Sequence, residues 1–459
     1  MMHTIKKLLV LVLVLIFCFS FLPAKTYAIS ATSLNSSQQQ KRVVKTIKTL
    51  QTTPTKVTST EAASVELGFD VTALGAKGDD TTDDTEAIQN ALNQYDNVYI
   101  PAGTYMIDVE KSLTLRSNQT LTLDNLAILQ ALPTTNGNSS VLKIKNVSNV
   151  VVSGGQIIGE RYSHMGATGE WGMGILIESG ANNISISNIT ISDCWGDGIY
   201  LGGTSPVNQI TLDNVISSNN RRQGMSITNA TQVTVNNSIF KDTNGTAPEA
   251  GIDIEPNAGQ ITEDITIINT QCYGNGGAGL DLMGCNETIQ RIIVQGCSFK
   301  DNDSSGIRIE NAKDLTFSST SVINNYTGID IPRDVANVKF MDMTISNNQS
   351  RGVSIIGAGQ TTGIENIVFE NCTIADNSQR AAGWVDGVRI DNWDLTGYIK
   401  DITFTSCSFI DDQTVKTQRY GITVGFSEKI SNIVIAKNNF FSGNILGNLL
   451  GKNIVYAEI

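Results

Sequence analysis

"EAGIDIEPN", residues 249–257, contains the four-residue pattern that decides the fold: a glycine, an apolar residue, any residue and a second apolar residue. The pattern recurs ten times between residues 174 and 424, and seven of the nine steps between its glycines are 22 to 28 residues long. This recurrence indicates a solenoid, in which loops hold the extra residues of the longer coils. Within each pattern we expect the apolar residues to point inward and the residue between them to point outward.

Each repeat also contains a segment in which apolar and polar residues alternate, such as "NISISNITI" at 183–191 and "ENIVFENCTI" at 365–374. Alternation with many β-branched residues predicts a second, half-buried strand in every coil. Short strands without helices also occur in sandwiches and propellers. The repeat is too short for a four-stranded propeller blade, and the glycine step is too regular for a sandwich. The sequence therefore predicts an all-β, single-stranded parallel β-helix.

A solenoid needs a cap, because an open end exposes its core and its strand edge. The segment "DDTTDDTEAIQNALNQYDNVYIPAGTYMI", residues 79–107, predicts one. We expect Asp83 to cap a helix, with Glu86 three residues later. The apolar stripe of this helix is Ala87, Ile88, Ala91 and Leu92. We assign residues 67–110 to the N-terminal cap and first strand, and residues 111–459 to the β-helix.

The N-terminal residues have the layout of a targeting segment. Residues 1–28 combine an early lysine pair, an apolar run and small residues near Ala28, which predicts a secretory signal peptide and an extracellular protein. A retained membrane anchor is the alternative, but the apolar stretch is short for a span. Residues 29–66 are rich in Ser, Thr, Gln and Lys, which predicts a flexible linker. After cleavage we expect no membrane partner.

Charge and cysteine content exclude some classes of partner. The formal net charge of −12 becomes −15 without the three lysines of residues 1–28, so nucleic acid is a poor partner. The cysteines beyond residue 28 show no CxxC pair and no metal-ligand spacing, which predicts buried thiols. Five residues at one offset should stack as an inward-facing column: Cys297, Thr320, Met343, Cys372 and Cys407.

The segment from Phe69 to Ile107, together with the repeat, resembles the entry segment of the pectate-lyase-like superfamily of right-handed parallel β-helix proteins. That superfamily includes polygalacturonases, rhamnogalacturonases, polysaccharide lyases, C5-epimerases and phage tailspikes. The resemblance implies a right-handed helix and activity on carbohydrate. The polygalacturonase residues are incomplete here: "WGDG" keeps Asp197, the next coil reads "RRQG", and no Gly-His-Gly or Arg-x-Lys follows. Strict polygalacturonase activity is therefore not expected.

Stacking the repeats places an acidic cluster on one sheet. The outward residues form a column of Leu176, Tyr200, Ser226, Asp253, Asp281, Arg308, Asp330, Ser354, Arg389 and Thr423, and a second column contains Glu178, Thr228, Glu255, Glu310 and Asp391. Neighbouring coils are about 4.8 Å apart. Asp253, Glu255 and Asp281 should then lie together, with Asp197 and Arg222 on the two preceding coils. Stacked like charges cost stability, which favours a functional role.

Candidate catalytic residues are Asp197, Asp253, Glu255 and Asp281. Candidate substrate-binding residues lie around them: Arg221, Arg222, Tyr200, His164, Glu170, Trp171, Trp195, Glu249 and Arg308. For the paired arginines we favour a structural or substrate-binding role over catalysis. We expect Trp384 and Trp393 to pack within a longer coil.

Three functions agree with this pattern. Paired carboxyl groups hydrolyse glycosidic bonds when one is protonated and one is ionised, without a cofactor. A lyase would need a base such as Arg222 or Tyr200, with Ca²⁺ held by the acidic cluster. A binding or tailspike-like module would bind sugars without turnover. An alginate-type C5-epimerase is a weaker hypothesis, because the family's pattern has an Asp-Pro-His segment, and "GIDIEPN" contains no histidine. We favour the hydrolysis of a polysaccharide, pectin-like and acidic.

Overall fold

The structure, a computed structural model, describes residues 67–284, 287–380, 382–393 and 396–457. Residues 65–459 form one compact unit. Its strands pair in parallel with the strands of the coils before and after them, which makes the predicted parallel β-helix. The predicted signal peptide, the predicted linker and Cys285 lie outside the described residues.

Each coil contributes strands to three faces of the solenoid. Face 1 carries the glycine pattern and consists of Leu113–Thr114, Asn138–Lys145, Trp171–Glu178, Ile199–Gly202, Met225–Ile227, Ile252–Ile254, Leu280–Met283, Val353–Gly357, Val388–Asn392, Tyr420–Val424 and Gly447–Leu450. Face 2 consists of Phe69–Asp70, Asn97–Ile100, Gln119–Leu123, Ser148–Ser153, Asn182–Ser187, Val207–Asp213, Ala230–Asn236, Thr262–Ile268, Ile289–Gln295, Ile364–Glu370, Ile399–Thr405, Ile430–Ala436 and Ile454–Ala457. Two long strands, Ser305–Ser318 and Thr327–Met341, continue from face 1 into face 2.

Face 3 is a separate 14-stranded sheet. It consists of Asp79–Asp83, Gly103–Ile107, Ala127–Ala131, Gln156–Ile158, Thr190–Ser192, Ile216–Ser218, Ile239–Lys241, Gln271–Tyr273, Ser298–Lys300, Ser321–Ile323, Thr344–Ser346, Thr373–Ala375, Ser408–Ile410 and Phe440–Ser442.

The sequence predicted that the alternating segment of each coil forms a single strand, and this was wrong. The segment bends in the middle and forms two strands, one on face 2 and one on face 3. In "NISISNITI" the bend is at Asn188, whose φ is 54°, between Asn182–Ser187 and Thr190–Ser192. Asn237 and Asn371 occupy the same place in later coils, with φ of 50° and 54°. Asparagine tolerates this left-handed backbone better than most residues, so it turns the chain from face 2 to face 3.

The interior is filled by side chains that stack from coil to coil. Phe317, Phe340, Phe369 and Phe404 form a column with ring centroids 4.6 to 4.9 Å apart. The predicted column from Cys297 to Cys407 is confirmed as inward-facing, since each of its five members is at most 3% exposed. Cys194, Cys272, Cys297, Cys372 and Cys407 are buried free thiols, as predicted.

A ladder of buried asparagines runs beside these apolar columns: Asn275, Asn302, Asn325, Asn348 and Asn377. Each side-chain amide donates to the side-chain oxygen of the next member, for example Asn302 Nδ2 to Asn325 Oδ1 at 2.8 Å. The oxygens also accept backbone N–H groups, such as that of Asn302 at 3.1 Å. The ladder satisfies polar groups at the corner between faces 3 and 1 that burial would otherwise leave unpaired.

The α-helix Thr85–Gln94 lies where the sequence predicts one, and it follows a short 3-10 helix, Val71–Leu74. Ile88, Ala91 and Leu92 are buried, whereas Ala87 is only partly buried. The N-cap position is Asp84 rather than Asp83, but the Asp84 carboxylate accepts the backbone N–H groups of Lys77 and Gly78 and does not cap the helix. The Asp83 carboxylate accepts the backbone N–H of Thr85, the first helical residue, at 3.0 Å. Within the described part of the chain, no helix has the length and apolar character needed to span a membrane.

Candidate functional site

The predicted outward column of face 1 is confirmed in register. Tyr200 pairs with Ser226, Ser226 with Asp253, Asp253 with Asp281, and Asp281 with Arg308. Each pair joins adjacent coils, so the two aspartates are nearest neighbours along the solenoid. Adjacent coils of a parallel sheet are about 4.8 Å apart.

The column is less exposed than the sequence predicts. Asp253 is 1% exposed, Asp281 5% and Ser226 1%. These short side chains lie among longer ones, including Gln223, which donates to Asp253, and Arg308, which pairs with Asp281. A substrate therefore reaches the carboxyl groups only when flanking side chains move aside.

Asp253 has one bonded and one unbonded carboxyl oxygen. Its Oδ2 accepts a hydrogen bond from Gln223 Nε2 at 2.8 Å. Gln223 Oε1 accepts the backbone N–H of Ala250 at 2.7 Å, which fixes the orientation of the amide and its role as donor to Asp253. Asp253 Oδ1 is buried and has no hydrogen-bond partner among the described residues. A proton on Asp253 is therefore best placed on Oδ1.

The environment of Asp253 favours its protonated form. Burial raises its pKa well above the usual range, and the neighbouring carboxyl groups of Asp281 and Glu255 raise it further. Arg222 opposes this rise only in part. Asp253 therefore has the properties of a general acid, which needs a proton at the working pH.

Asp281 has a different environment on the next coil. Its Oδ2 lies 3.8 Å from Arg308 Nη1, and its Oδ1 is buried without a hydrogen-bond partner among the described residues. Burial raises the pKa of Asp281 to about 6, with Arg308 limiting the rise. Arg308 also binds Glu310 at 2.7 Å. At neutral pH the ionised form of Asp281 therefore predominates, beside the Asp253 carboxyl group, whose pKa is raised well above its usual range.

Asp197 and Arg222 form an ion pair on the two preceding coils. Arg222 Nη1 lies 3.3 and 3.2 Å from the two Asp197 oxygens, and Ser226 Oγ donates to Asp197 Oδ2 at 2.7 Å. Burial raises the pKa of Asp197 to about 6 although Arg222 opposes the rise. Glu170 reaches Arg222 Nε at 3.5 Å from the loop above. Because its oxygens are hydrogen-bonded, Asp197 is better suited to holding Arg222 than to attacking a substrate.

The other arginine of the pair contributes to an aromatic stack. The Arg221 guanidinium lies 3.7 Å from the Trp195 ring centroid, and the His164 ring is stacked on Trp195 at 3.8 Å. His164 Nδ1 lies 2.7 Å from Glu160 Oε2, and burial raises the pKa of Glu160 to about 7. Burial also lowers the pKa of His164. This stack fastens the loop of residues 160–170 to face 1.

The remaining predicted residues lie at the edges of the site. Tyr200 Oη is 2.9 Å from Thr228 Oγ1, and burial raises the pKa of Tyr200. Glu249 accepts the backbone N–H of Gly245 at 2.6 Å and belongs to its own loop. Glu255 is partly exposed and lies near Asp253 and Asp281, while Trp171 is 50% exposed. These positions suit contacts with a bound ligand rather than bond cleavage.

One structural outcome differs from the sequence predictions. Trp384 and Trp393 do not pack within their coil; they lie before and after the strand Val388–Asn392 and are 78% and 68% exposed. In the described residues, no three His, Cys, Asp or Glu side chains are grouped closely enough to hold a metal ion. The sequence analysis also missed Gln223, which donates to Asp253. The only feature of the sequence that points to it is a polar residue directly before the glycine of its coil.

Comparisons with known proteins agree with this architecture. A family model described as a right handed beta helix region matches residues 250–387. A second, described as rhamnogalacturonase A/epimerase, pectate lyase-like, matches residues 68–157. The uncharacterized protein YclG of Bacillus subtilis is 34% identical over 215 residues, which are 40% of this chain and 37% of that protein. The chain thus spans little more than a third of the length of that curated relative.

Two solved structures share the fold at low sequence identity. The A-module of the mannuronan C-5 epimerase AlgE4 of Azotobacter vinelandii has a TM-score of 0.59 at 17% identity, covering 85% of this chain and 100% of that chain. The family 28 exopolygalacturonase of Yersinia enterocolitica has a TM-score of 0.51 at 15% identity, covering 84% of this chain and 77% of that chain. The predicted resemblance to pectate-lyase-like right-handed β-helix proteins is confirmed.

Proposed function

Because the chain is a right-handed parallel β-helix that is similar to pectate-lyase-like proteins, we propose that it is an enzyme that hydrolyses glycosidic bonds of a polysaccharide on face 1. One observation carries the proposal. Asp253 and Asp281 lie on consecutive coils, each with a buried oxygen that lacks a hydrogen-bond partner among the described residues. The relatives add support, since the similar folds include an epimerase of mannuronan and an exopolygalacturonase.

In the proposed mechanism Asp253 is the general acid and Asp281 is the nucleophile. Asp253 Oδ1 donates its proton to the glycosidic oxygen as the bond to the anomeric carbon breaks, and Gln223 holds the other oxygen in place. Asp281 attacks the anomeric carbon. Water, deprotonated by Asp253, then releases the sugar and restores both groups. Adjacent coils are about 4.8 Å apart, close to the carboxyl separation of about 5 to 5.5 Å in retaining glycosidases.

The alternative is a lyase that uses Ca²⁺ and a base on face 1. Both candidate bases are engaged in the structure, since Arg222 is paired with Asp197 and Tyr200 with Thr228. The pKa of each is also raised, which disfavours the deprotonated base. These contacts favour hydrolysis over elimination.

The test is to incubate the protein with acidic and neutral polysaccharides, with and without EDTA. We expect new reducing ends, no ultraviolet absorbance from unsaturated products, and no loss of rate in EDTA. Asp253→Asn should lose this activity, whereas Asp303→Asn, at an exposed position, serves as the matched control. Unsaturated products that need Ca²⁺ would establish the lyase instead, and binding without turnover would establish a sugar-binding module.

We also propose that the chain acts outside the cell after cleavage at Ala28. Expression in a secreting bacterium should release protein whose N-terminal residue, read by mass spectrometry, is Ile29. Protein retained with residues 1–28 intact would contradict this.

A further inference from the structure

A second group of charged residues lies on face 1, beyond the acidic pair. Arg351 precedes the strand Val353–Gly357, and its side chain is partly buried. Its Nε is buried and has no hydrogen-bond partner among the described residues. Within the same described ranges, no carboxylate lies within ion-pair distance of Arg351, although arginine remains charged in proteins.

Two acidic groups, Asp386 and Asp330, act on the charge of Arg351 from beyond ion-pair distance. Asp386 accepts two hydrogen bonds from Arg419, at 2.8 and 2.9 Å, and also pairs with Arg389 at 3.7 Å. Arg389 binds Asp391 at 2.5 Å. Burial lowers the pKa of Arg351 and the charge of Arg389 lowers it further, whereas Asp386 and Asp330 raise it. The positive charge of Arg351 therefore has acidic groups in its surroundings, but none of the described carboxylates is in direct contact with it.

An exposed aromatic ring lies near this arginine, and a second exposed ring lies on the loop that leads to Asp386. Tyr326 is 42% exposed, and its backbone carbonyl accepts the N–H of Ser350, next to Arg351, at 2.6 Å. Trp384, 78% exposed, comes two residues before Asp386. A guanidinium without an ion-pair partner among the described residues, near the exposed ring of Tyr326, offers a charge for an anion and an apolar surface for a sugar ring.

The position relative to the acidic pair follows from the register. Asp281 pairs with Arg308, Arg308 with Asp330, and Asp330 with Ser354, which is three residues after Arg351. Three coils correspond to about 14 Å along the solenoid axis. A polysaccharide lying along face 1 would reach Arg351 with sugars beyond the one that is cleaved.

We propose that Arg351 is a binding residue for the carboxylate of a uronate sugar, in a subsite three coils from Asp281. The proposal rests on the proposed function for the identity of face 1 as the substrate surface. It narrows the substrate class to acidic polysaccharides. Arginine suits this role because its planar fork binds a carboxylate through two parallel hydrogen bonds.

Binding is measured without turnover, so that this proposal and the proposed function can fail separately. Asp281→Asn protein is titrated by calorimetry with hexamers of galacturonate, mannuronate and glucuronate, and with the methyl-esterified form of whichever hexamer binds. Adding Arg351→Gln should weaken binding of the charged hexamer about tenfold or more, as expected for loss of a charged hydrogen bond. Binding of the uncharged ester should stay the same.

The control variants separate charge from folding. Arg351→Lys should retain part of the affinity for the charged hexamer, and Arg380→Gln, at an exposed arginine, should change nothing. Three results would overturn the subsite. Arg351→Gln could weaken the binding of the charged and the esterified hexamer equally, it could weaken neither, or the protein could bind no uronate hexamer at all. Hydrolysis of a neutral glucan without uronate binding would overturn it while leaving the proposed function intact.

Discussion

Replacing Asp281 with asparagine should stabilise the protein at high pH, although it removes a charged group that faces an arginine. Burial raises the pKa of Asp281 from 3.8 to about 6. A group whose folded pKa is raised binds its proton more tightly in the folded state, so its ionisation favours unfolding. The penalty is absent below about pH 4, grows as the pH rises toward 6, and is complete above it.

The magnitude follows from the shift. About two pKa units at 1.36 kcal/mol each give about 3 kcal/mol of destabilisation at high pH. Unfolding entropy is about 2.1 cal/mol/K per residue, hence about 0.8 kcal/mol/K for the roughly 390 residues of the solenoid. Asp281→Asn should therefore raise Tm, relative to the wild type, by about 4 °C more at pH 8 than at pH 4.

Scanning calorimetry at one scan rate measures the difference in Tm between Asp281→Asn and the wild type. Taking this difference at both pH values cancels any effect of the substitution that does not depend on pH. Asp303→Asn is the control, because it makes the same chemical change at an exposed carboxyl group. If Asp281→Asn instead lowers Tm more at high pH than at low pH, the ion pair with Arg308 dominates. Asp281 would then be a structural residue.

Three further predictions concern other residues. Asp253→Asn should lower kcat by a factor of about 10² to 10⁴, as expected for loss of a general acid. NMR should show that the wild-type enzyme releases a product of retained anomeric configuration, and an inverted product would exclude Asp281 as the nucleophile. Asn325→Ala should lower the free energy of unfolding by about 3 kcal/mol, because it breaks the buried ladder and removes the oxygen that accepts from the Asn302 backbone and side chain. Calorimetry should show a lower Tm for this variant and an unchanged Tm for the control Asn90→Ala, at an exposed position of the helix. Glu160→Gln should raise Tm increasingly between about pH 5 and pH 8, because the raised pKa of Glu160 makes its ionisation destabilising there; a Tm difference that stays constant would show that Glu160 ionises normally.

The register of face 1 was predictable from the sequence because the glycine pattern fixes it. A period of two within the strand and one glycine per coil determine which residues become neighbours, so Asp253 and Asp281 could be paired in advance. The bend at Asn188 is harder to predict, since the alternation of apolar and polar residues continues through it. The backbone angle of a single asparagine, not the hydrophobic pattern, divides that segment into two strands.

Burial and hydrogen bonding of the site were not predictable in the same way. Asp253 is covered because Gln223, on the preceding coil, turns its amide toward it, and that orientation depends on the Ala250 backbone N–H. The stack of Arg221, Trp195 and His164 joins segments far apart in sequence. Such contacts depend on loop conformation, which the spacing of the repeats does not determine.

The proposed hydrolysis depends on a proton on Asp253, and that proton can be observed directly. Infrared difference spectra between the wild type and Asp253→Asn, recorded near neutral pH, report whether the lost group was a protonated carboxyl or a carboxylate. We expect the C=O stretch of a protonated carboxyl group in the wild type, absent in Asp253→Asn and unchanged in Asp303→Asn. A carboxylate signal from Asp253 at that pH would contradict its role as the general acid, and with it the proposed hydrolysis.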